Sequence, residues 1–202
     1  MLTVLLDTSL FDPEDPRYSR FLSPERKERI RAMGSPSARA EGFGAELALS
    51  RALALFRPDI PLPLEYARTD RGKPYDPLGR VRFSLTHSQG LAACAVSDGE
   101  VAIDLEAPSR DTARAEKRVR CPEDDPMDFP LLWTAKECAM KYTGLGFALS
   151  PSRIWVRGSR VFADGKELGR VQWFFPERAV LAVLSEKGDM PAPVAALPGD
   201  FL

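Results

Sequence analysis

Short apolar runs, broken by turn residues and by two stretches of helical spacing, organise this chain. LTVLLD (2–7) is an apolar run closed by an acid and reads as a buried strand. SPERKERIRAMG opens a short helix, with Ser23 as N-cap, Pro24 at the first helical position and Gly34 as the stop. Ser35-Pro36 repeats that start signal for a longer Ala- and Leu-rich helix ending near Phe56, before Pro58. Beyond the link RPDIPLP, strand-like pieces fall at 64–68, 81–86, 91–97 and 101–106, separated by Gly and Asp-Gly turns. Residues 107–130 are polar and Pro-containing, a loop with room for one short helix. PLLWTAKECAMKYTG is helix-like and ends at Gly144 and Gly146. Strands return at 153–156, 160–162, 171–175 and 180–184, and EKGDMPAPVAALPGDFL reads as a loosely ordered tail.

Strands mixed with two long helices predict an α+β protein. A faint echo runs through it. AACAVSD (92–98) and VLAVLSE (180–186) each end a hairpin in a small-apolar strand closed by Ser and an acid. Two α+β halves built alike is one reading; chance similarity in Ala-rich sequence is the other.

Composition narrows the function. Lys plus Arg (28) nearly balances Asp plus Glu (29) over 202 residues, so no whole-molecule field draws the protein to nucleic acid or membrane. Anion binding must come from a local cluster. Cys94, Cys121 and Cys138 are odd in number and lack CxxC spacing, which suits a reducing cytoplasm and excludes a disulfide framework. The apolar start has no basic region before it, and no stretch approaches the length of a membrane span. A soluble cytoplasmic protein is expected.

Candidate chemistry begins with VAIDLE (101–106). In a strand, Asp104 and Glu106 share a face, with Ile103 and Leu105 on the other. Two carboxylates this close repel unless water or a shared cation separates them. Either the strand end leaves the core for solvent, or the pair holds a cation. Trp133, Glu137 and Lys141 lie along one helical stripe at i, i+4 and i+8. On its own this is an exposed ion pair worth about 0.3–0.5 kcal/mol beside a core Trp. Joined to Asp104 and Glu106, Glu137 completes an all-oxygen set suited to Mg²⁺, and Lys141 supplies a charge for phosphate. His87 is the chain's one histidine, and a lone histidine near a strand end is ordinarily structural. No GxSxG surrounds a serine, and one His with three scattered Cys gives no zinc spacing.

Taken together, RGKPY, FSLTHSQGLAACAVSDGEVAIDLE and WTAKECAMKYTGLGFALS, in this order, resemble the three signature blocks of the 4′-phosphopantetheinyl transferases. The similarity is to the surfactin-synthetase-activating type, a monomer of two similar halves, and spans residues 20–185. It implies two halves, 1–106 and 107–202, each a small, mainly antiparallel sheet with a long helix, and an active site at their interface. It implies transfer of the phosphopantetheine arm of coenzyme A to a serine of an acyl or peptidyl carrier protein, with release of 3′,5′-ADP. By the same resemblance, Asp104, Glu106 and Glu137 bind Mg²⁺, and Glu137 helps deprotonate the serine, directly or through water. Lys141, His87 and Thr86 contact coenzyme A phosphates, while Gly72, Lys73 and Pro74 line the adenine side. Arg39, at the start of the long helix, resembles the contact to the 3′-phosphate, and Arg26 is taken from the basic stretch before it. An anion bound there makes both Arg39 and the helix N-terminus favourable; a solvated Arg opposing the helix dipole is the alternative.

The chain departs from the family pattern twice. The segment between Glu106 and Trp133 is short, and Leu145 replaces the lysine often found between the two closing glycines. That short segment carries Arg110, Arg114, Lys117 and Arg118 near helical spacing, either a face for an acidic carrier helix or a solvated surface. Two rival functions stay open: a non-catalytic module binding coenzyme A or a carrier, and a Mg²⁺-dependent nucleotide phosphohydrolase.

Overall fold

A computed structural model describes residues 1–107, 113–176, 179–188 and 190–201. Strand β1 (Leu2–Asp7) leads into the helices α1 (Pro24–Arg31) and α2 (Pro36–Phe56). The side chains of Ser23 and Ser35 accept from the backbone N–H of Arg26 and Ala38, so both helices start where the Ser-Pro signals place them. A small ribbon follows, β2 (Ala67–Arg68) with β3 (Pro74–Tyr75), then β4 (Arg82–Ser88), β5 (Leu91–Ser97) and β6 (Val101–Glu106). Helices α3 (Ala113–Val119) and α4 (Phe129–Thr143) come next. Gly144 closes α4 at φ 70°, a conformation glycine adopts without the clash a Cβ brings. Strands β7 (Ile154–Arg157), β8 (Arg160–Ala163), β9 (Lys166–Phe174), β10 (Val180–Ser185) and β11 (Val194–Ala195) complete the chain's elements.

Two larger sheets result. One has the order β11-β1-β5-β4, the other β6-β10-β9-β8-β7. All neighbours are antiparallel except β1 and β11. Helix α2 packs on the first sheet and α4 on the second. Gly44 permits the first of these contacts: a Cβ there would lie 2.7 Å from Thr8 Cγ2 and 3.1 Å from the Ala92 Cβ. Between the sheets, Leu91, Ala93 and Ala95 of β5 meet Val101, Ile103 and Leu105 of β6 and Leu181 and Val183 of β10. The other face of β6 turns toward α4, where Ala102 joins the core around Leu132, Ala135 and Cys138. Strand β6 thus sits where both layers meet, with alternate residues committed to different neighbours. That alternation points Asp104 and Glu106 at α4.

Two expectations need correction. The run 64–68 forms only a two-residue strand, because the prolines before it exclude ladder donors and Leu64 is buried in the first core instead. The tail is not loose. Val4 and Leu5 pair with Val194 and Ala195 in β11, and the Ala196 N–H donates to the Leu5 carbonyl at 2.9 Å. Phe201 then packs edge-on against Phe11, Tyr18 and Phe21, with ring centroids 5.6, 6.0 and 5.3 Å away. Apolar burial overrides the Pro- and Gly-rich composition there.

The three cysteines are free and buried, and burial pushes each thiol above its ordinary value. None is poised as a nucleophile. Among the described residues, no helix is long and apolar enough to cross a membrane.

Candidate active site

Asp104 is the pivot. It is 3% exposed, and its Oδ1 accepts from Lys141 Nζ of α4 at 2.7 Å and from Thr86 Oγ1 of β4 at 3.4 Å. Its Oδ2 is buried with no partner among the described residues. Lys141 donates to the Ile103 carbonyl as well, at 3.0 Å, and is therefore bound to β6. The simple helix ion pair between Glu137 and Lys141 gives way to this tertiary one. Trp133, two turns earlier on the same stripe, donates from Nε1 to Glu106 Oε1 at 3.4 Å. The helical stripe and the strand face therefore interlock residue by residue.

Electrostatics follow from the crowding. Burial, and then the Asp104 charge, push the Glu137 carboxyl up to about 7. Burial and Asp104 also raise Glu106, against the opposing pull of Trp133 and Lys141. Burial alone would lower Lys141, but the Asp104 carboxylate more than offsets it and holds the ammonium above its ordinary value. Three acids and one cation share one low-dielectric corner.

That corner opens into a cavity of about 400 Å³ whose lining includes Thr86, His87, Asp104, Glu106, Glu137 and Lys141. His87 is 42% exposed in its side chain, and its Nδ1 lies 3.0 Å from Glu41 Oε2. The other Glu41 oxygen accepts from the Gly90 N–H at 3.0 Å, so this α2 carboxylate fixes both the ring and the turn beside it. Pro74 lines the same cavity, whereas Gly72 and Lys73 line an adjoining one of about 230 Å³ that shares Pro74 and Lys141. Lys73 itself is tied to Glu100 and to the Tyr142 carbonyl. Arg26 lines the main cavity but is buried, paired to Glu46 at 2.6 Å and stacked 5.0 Å from the Tyr66 ring.

Arg39 is not brought to this site. It lines a separate cavity of about 600 Å³, with Lys27, Ile30, Arg31 and Phe43, and donates to the Met33 carbonyl at 3.0 Å. Its charge therefore caps the turn after α1. Arg114, Lys117 and Arg118 are exposed on α3, while Arg110 lies outside the described residues. Glu41, Glu46 and Arg68 were missed by sequence reasoning. Arg29, which also lines the main cavity, belongs to the basic stretch from which Arg26 was taken.

The donor set suits a hard cation. Among the described residues no three acidic, His or Cys side chains are placed closely enough to hold a metal ion together. What the corner offers is an unpartnered buried oxygen on Asp104 and two further carboxylates whose ionised forms are disfavoured by burial and then by repulsion. A divalent ion with oxygen preference relieves both.

A carboxylate pair on a buried strand faces a Glu and a Lys one helical turn apart across the junction of two helix-backed sheets. The chain is similar to curated 4′-phosphopantetheinyl transferases. It is 27% identical over 166 residues to a 4′-phosphopantetheinyl transferase of Bacillus subtilis, covering 76% of this chain and 74% of that protein. It is also 27% identical over 170 residues to 4′-phosphopantetheinyl transferase Sfp of Bacillus subtilis strain 168, with 76% and 74% covered. No protein-family model matches the chain.

Proposed function

We propose that this protein transfers the 4′-phosphopantetheine arm of coenzyme A to a serine of an acyl or peptidyl carrier protein, with Mg²⁺, releasing 3′,5′-ADP. The observation that carries it is the meeting of Asp104, Glu106, Glu137 and Lys141 in one cavity. The two helix-backed sheets are read as two similar halves with the site between them. Both halves contribute: Thr86 and His87 from β4, the acids from β6 and α4.

In the reaction the serine Oγ forms a bond to the phosphorus that carries the pantetheine arm. The bond from that phosphorus to the bridging oxygen breaks, and the electron pair leaves on 3′,5′-ADP. Asp104, Glu106 and Glu137 are the residues that would hold Mg²⁺, which when bound supplies neutralisation of pyrophosphate charge. Lys141 adds a fixed cation for the same oxygens, kept in place by Asp104 and the Ile103 carbonyl. His87, oriented by Glu41, donates to phosphate from its exposed ring. Glu137 is the carboxylate placed to accept the serine proton, directly or through a water.

The test is mass spectrometry of an apo acyl carrier and an apo peptidyl carrier incubated with this protein, coenzyme A and Mg²⁺. A gain of one phosphopantetheine on either carrier is expected. Release of phosphate or free phosphopantetheine without any carrier gain would assign a phosphohydrolase, and coenzyme A binding with no product a non-catalytic module.

The carrier is proposed to dock against α3. Arg114, Lys117 and Arg118 are exposed there, while Val119 is buried and fastens the helix to the body. Charge reversal at Arg114 and Arg118 is expected to raise the KM for carrier several-fold and leave the Kd for coenzyme A unchanged. Steady-state kinetics with varied carrier would read this, and an unchanged KM removes α3 from the interface.

A further inference from the structure

The basic run of α1 divides between two cavities. Arg26 and Arg29 line the main cavity of about 400 Å³, whereas Lys27 and Arg31, one helical turn apart, line the separate one of about 600 Å³. Ile30 lines that second cavity too, so one face of α1 gives it an apolar wall and two cations. Leu22 and Phe43 continue the wall, and all three apolar residues belong to the first core, which comes to the surface here. The charges on this lining do not cancel. Lys27, Arg31 and Arg39 form no ion pair among the described residues, although Arg39 gives one N–H to the Met33 carbonyl. Of the two acids at the rim, Asp15 is already held by Arg17, which leaves Glu14 against three cations. Among the described residues that line the cavity, Ser19 is the one uncharged polar side chain. The wall therefore offers little to read a base or a sugar, and much to cover an apolar chain.

We propose that this cavity binds a small amphiphile with an apolar chain and one carboxylate. The chain lies against Leu22, Ile30 and Phe43, and the carboxylate meets Lys27 and Arg31. Size, surface and charge select for such a ligand together. The volume falls in the range of about 300–1,000 Å³ typical of small-molecule sites. The apolar wall gains from each methylene it covers, and cations without acid partners gain from an anion. A cationic amphiphile would keep the first gain and lose the second. The proposal goes beyond the function proposed above and does not depend on it, because no residue of the reactive corner lines this cavity.

Calorimetric titration of the full chain with hexanoate, octanoate, decanoate and decyltrimethylammonium tests it. Saturable binding of decanoate at one per chain is expected, with affinity falling about three- to fourfold for each methylene removed. Decyltrimethylammonium should bind far more weakly than decanoate. Combining Lys27→Gln with Arg31→Gln is expected to cost decanoate about 3- to 30-fold, the range for two exposed charge contacts. Ala40, on α2, lines the cavity as well, and Ala40→Phe should fill the space of the chain and abolish binding without touching a charge. Thermal melts show that each variant is folded, and Ala40→Leu is the smaller plug if Ala40→Phe is not. Absence of saturable decanoate binding in the low millimolar range would overturn the proposal. So would indifference to chain length, equal binding of the cationic amphiphile, or an affinity unchanged in either the double variant or the plugged one.

Discussion

Glu137→Gln is expected to lower the rate of carrier modification by about 10²–10⁴-fold, the range associated with loss of a positioned acid–base group. The same change should leave the fold as stable as wild type or more so. Glu137 stands beside Asp104 and Glu106, and burial with their charge lifts its folded-state value to about 7 from an ordinary 4.5. An acid raised in this way holds its proton longer in the folded chain than in the unfolded one. Stability is thus full below about 4.5 and is lost as pH rises toward 7. Glutamine removes that loss, so in metal-free buffer the melting temperature of the variant should exceed wild type more at pH 8 than at pH 5. A rate within about threefold of wild type would exclude Glu137 from the chemistry, since even a modest general acid or base contributes more. A site that destabilises its own fold is common where charge is held ready for a ligand.

Lys136→Met should produce the largest loss of stability of any single change beside the site. Lys136 and Asp124 are both 0% exposed in their side chains and 2.7 Å apart. Lys136 Nζ also donates to the Val119 carbonyl at 2.8 Å and the Pro151 carbonyl at 3.2 Å. Removing the ammonium leaves a buried carboxylate uncompensated, a cost of about 3–5 kcal/mol. For a chain of this length that corresponds to a fall in Tm of roughly 6–20 °C. Asp124→Asn should also destabilise, because Asp124 accepts from the Val156 and Cys121 N–H groups at 3.0 and 2.8 Å. The double variant should cost less than the two singles added, as expected for side chains in direct contact. Thermal melts of the set decide it; a fall below about 2 °C for Lys136→Met would mean the ion pair is no rivet. Val119 ends α3, so the same lysine that precedes Glu137 fixes the proposed carrier face relative to the reactive corner.

The parts of the site legible in sequence are those set by local periodicity. Strand alternation alone puts Asp104 and Glu106 on one face, and helical spacing alone aligns Trp133, Glu137 and Lys141. Neither rule says that the two faces meet, and the signature blocks supplied that step. What stayed hidden depends on approach between distant elements. Glu41 reaches His87 from α2, Glu46 reaches Arg26 across the α1–α2 hairpin, and Arg68 gains its place only once β2 closes over the cavity. Arg39 shows the converse. Its position in a helix's first turn is a local cue to an anion, yet a carbonyl from the preceding turn occupies its guanidinium. Helix ends were well placed because Ser, Pro and Gly act within a few residues. The tail was misjudged because its order comes from partners at the opposite end of the sequence.

That last contact bears on how the molecule is made. Strand β1 is synthesised well before β11, yet Val4 finds its parallel neighbour at Val194. Until then β1 presents an open ladder edge, and Phe11, Tyr18 and Phe21 lack the ring that seals them. A nascent chain in which β1 has been made and β11 has not thus carries a sticky edge and an uncovered aromatic patch. Holding that intermediate apart from its neighbours, by chaperone or by dilution, governs how much of it reaches the finished fold.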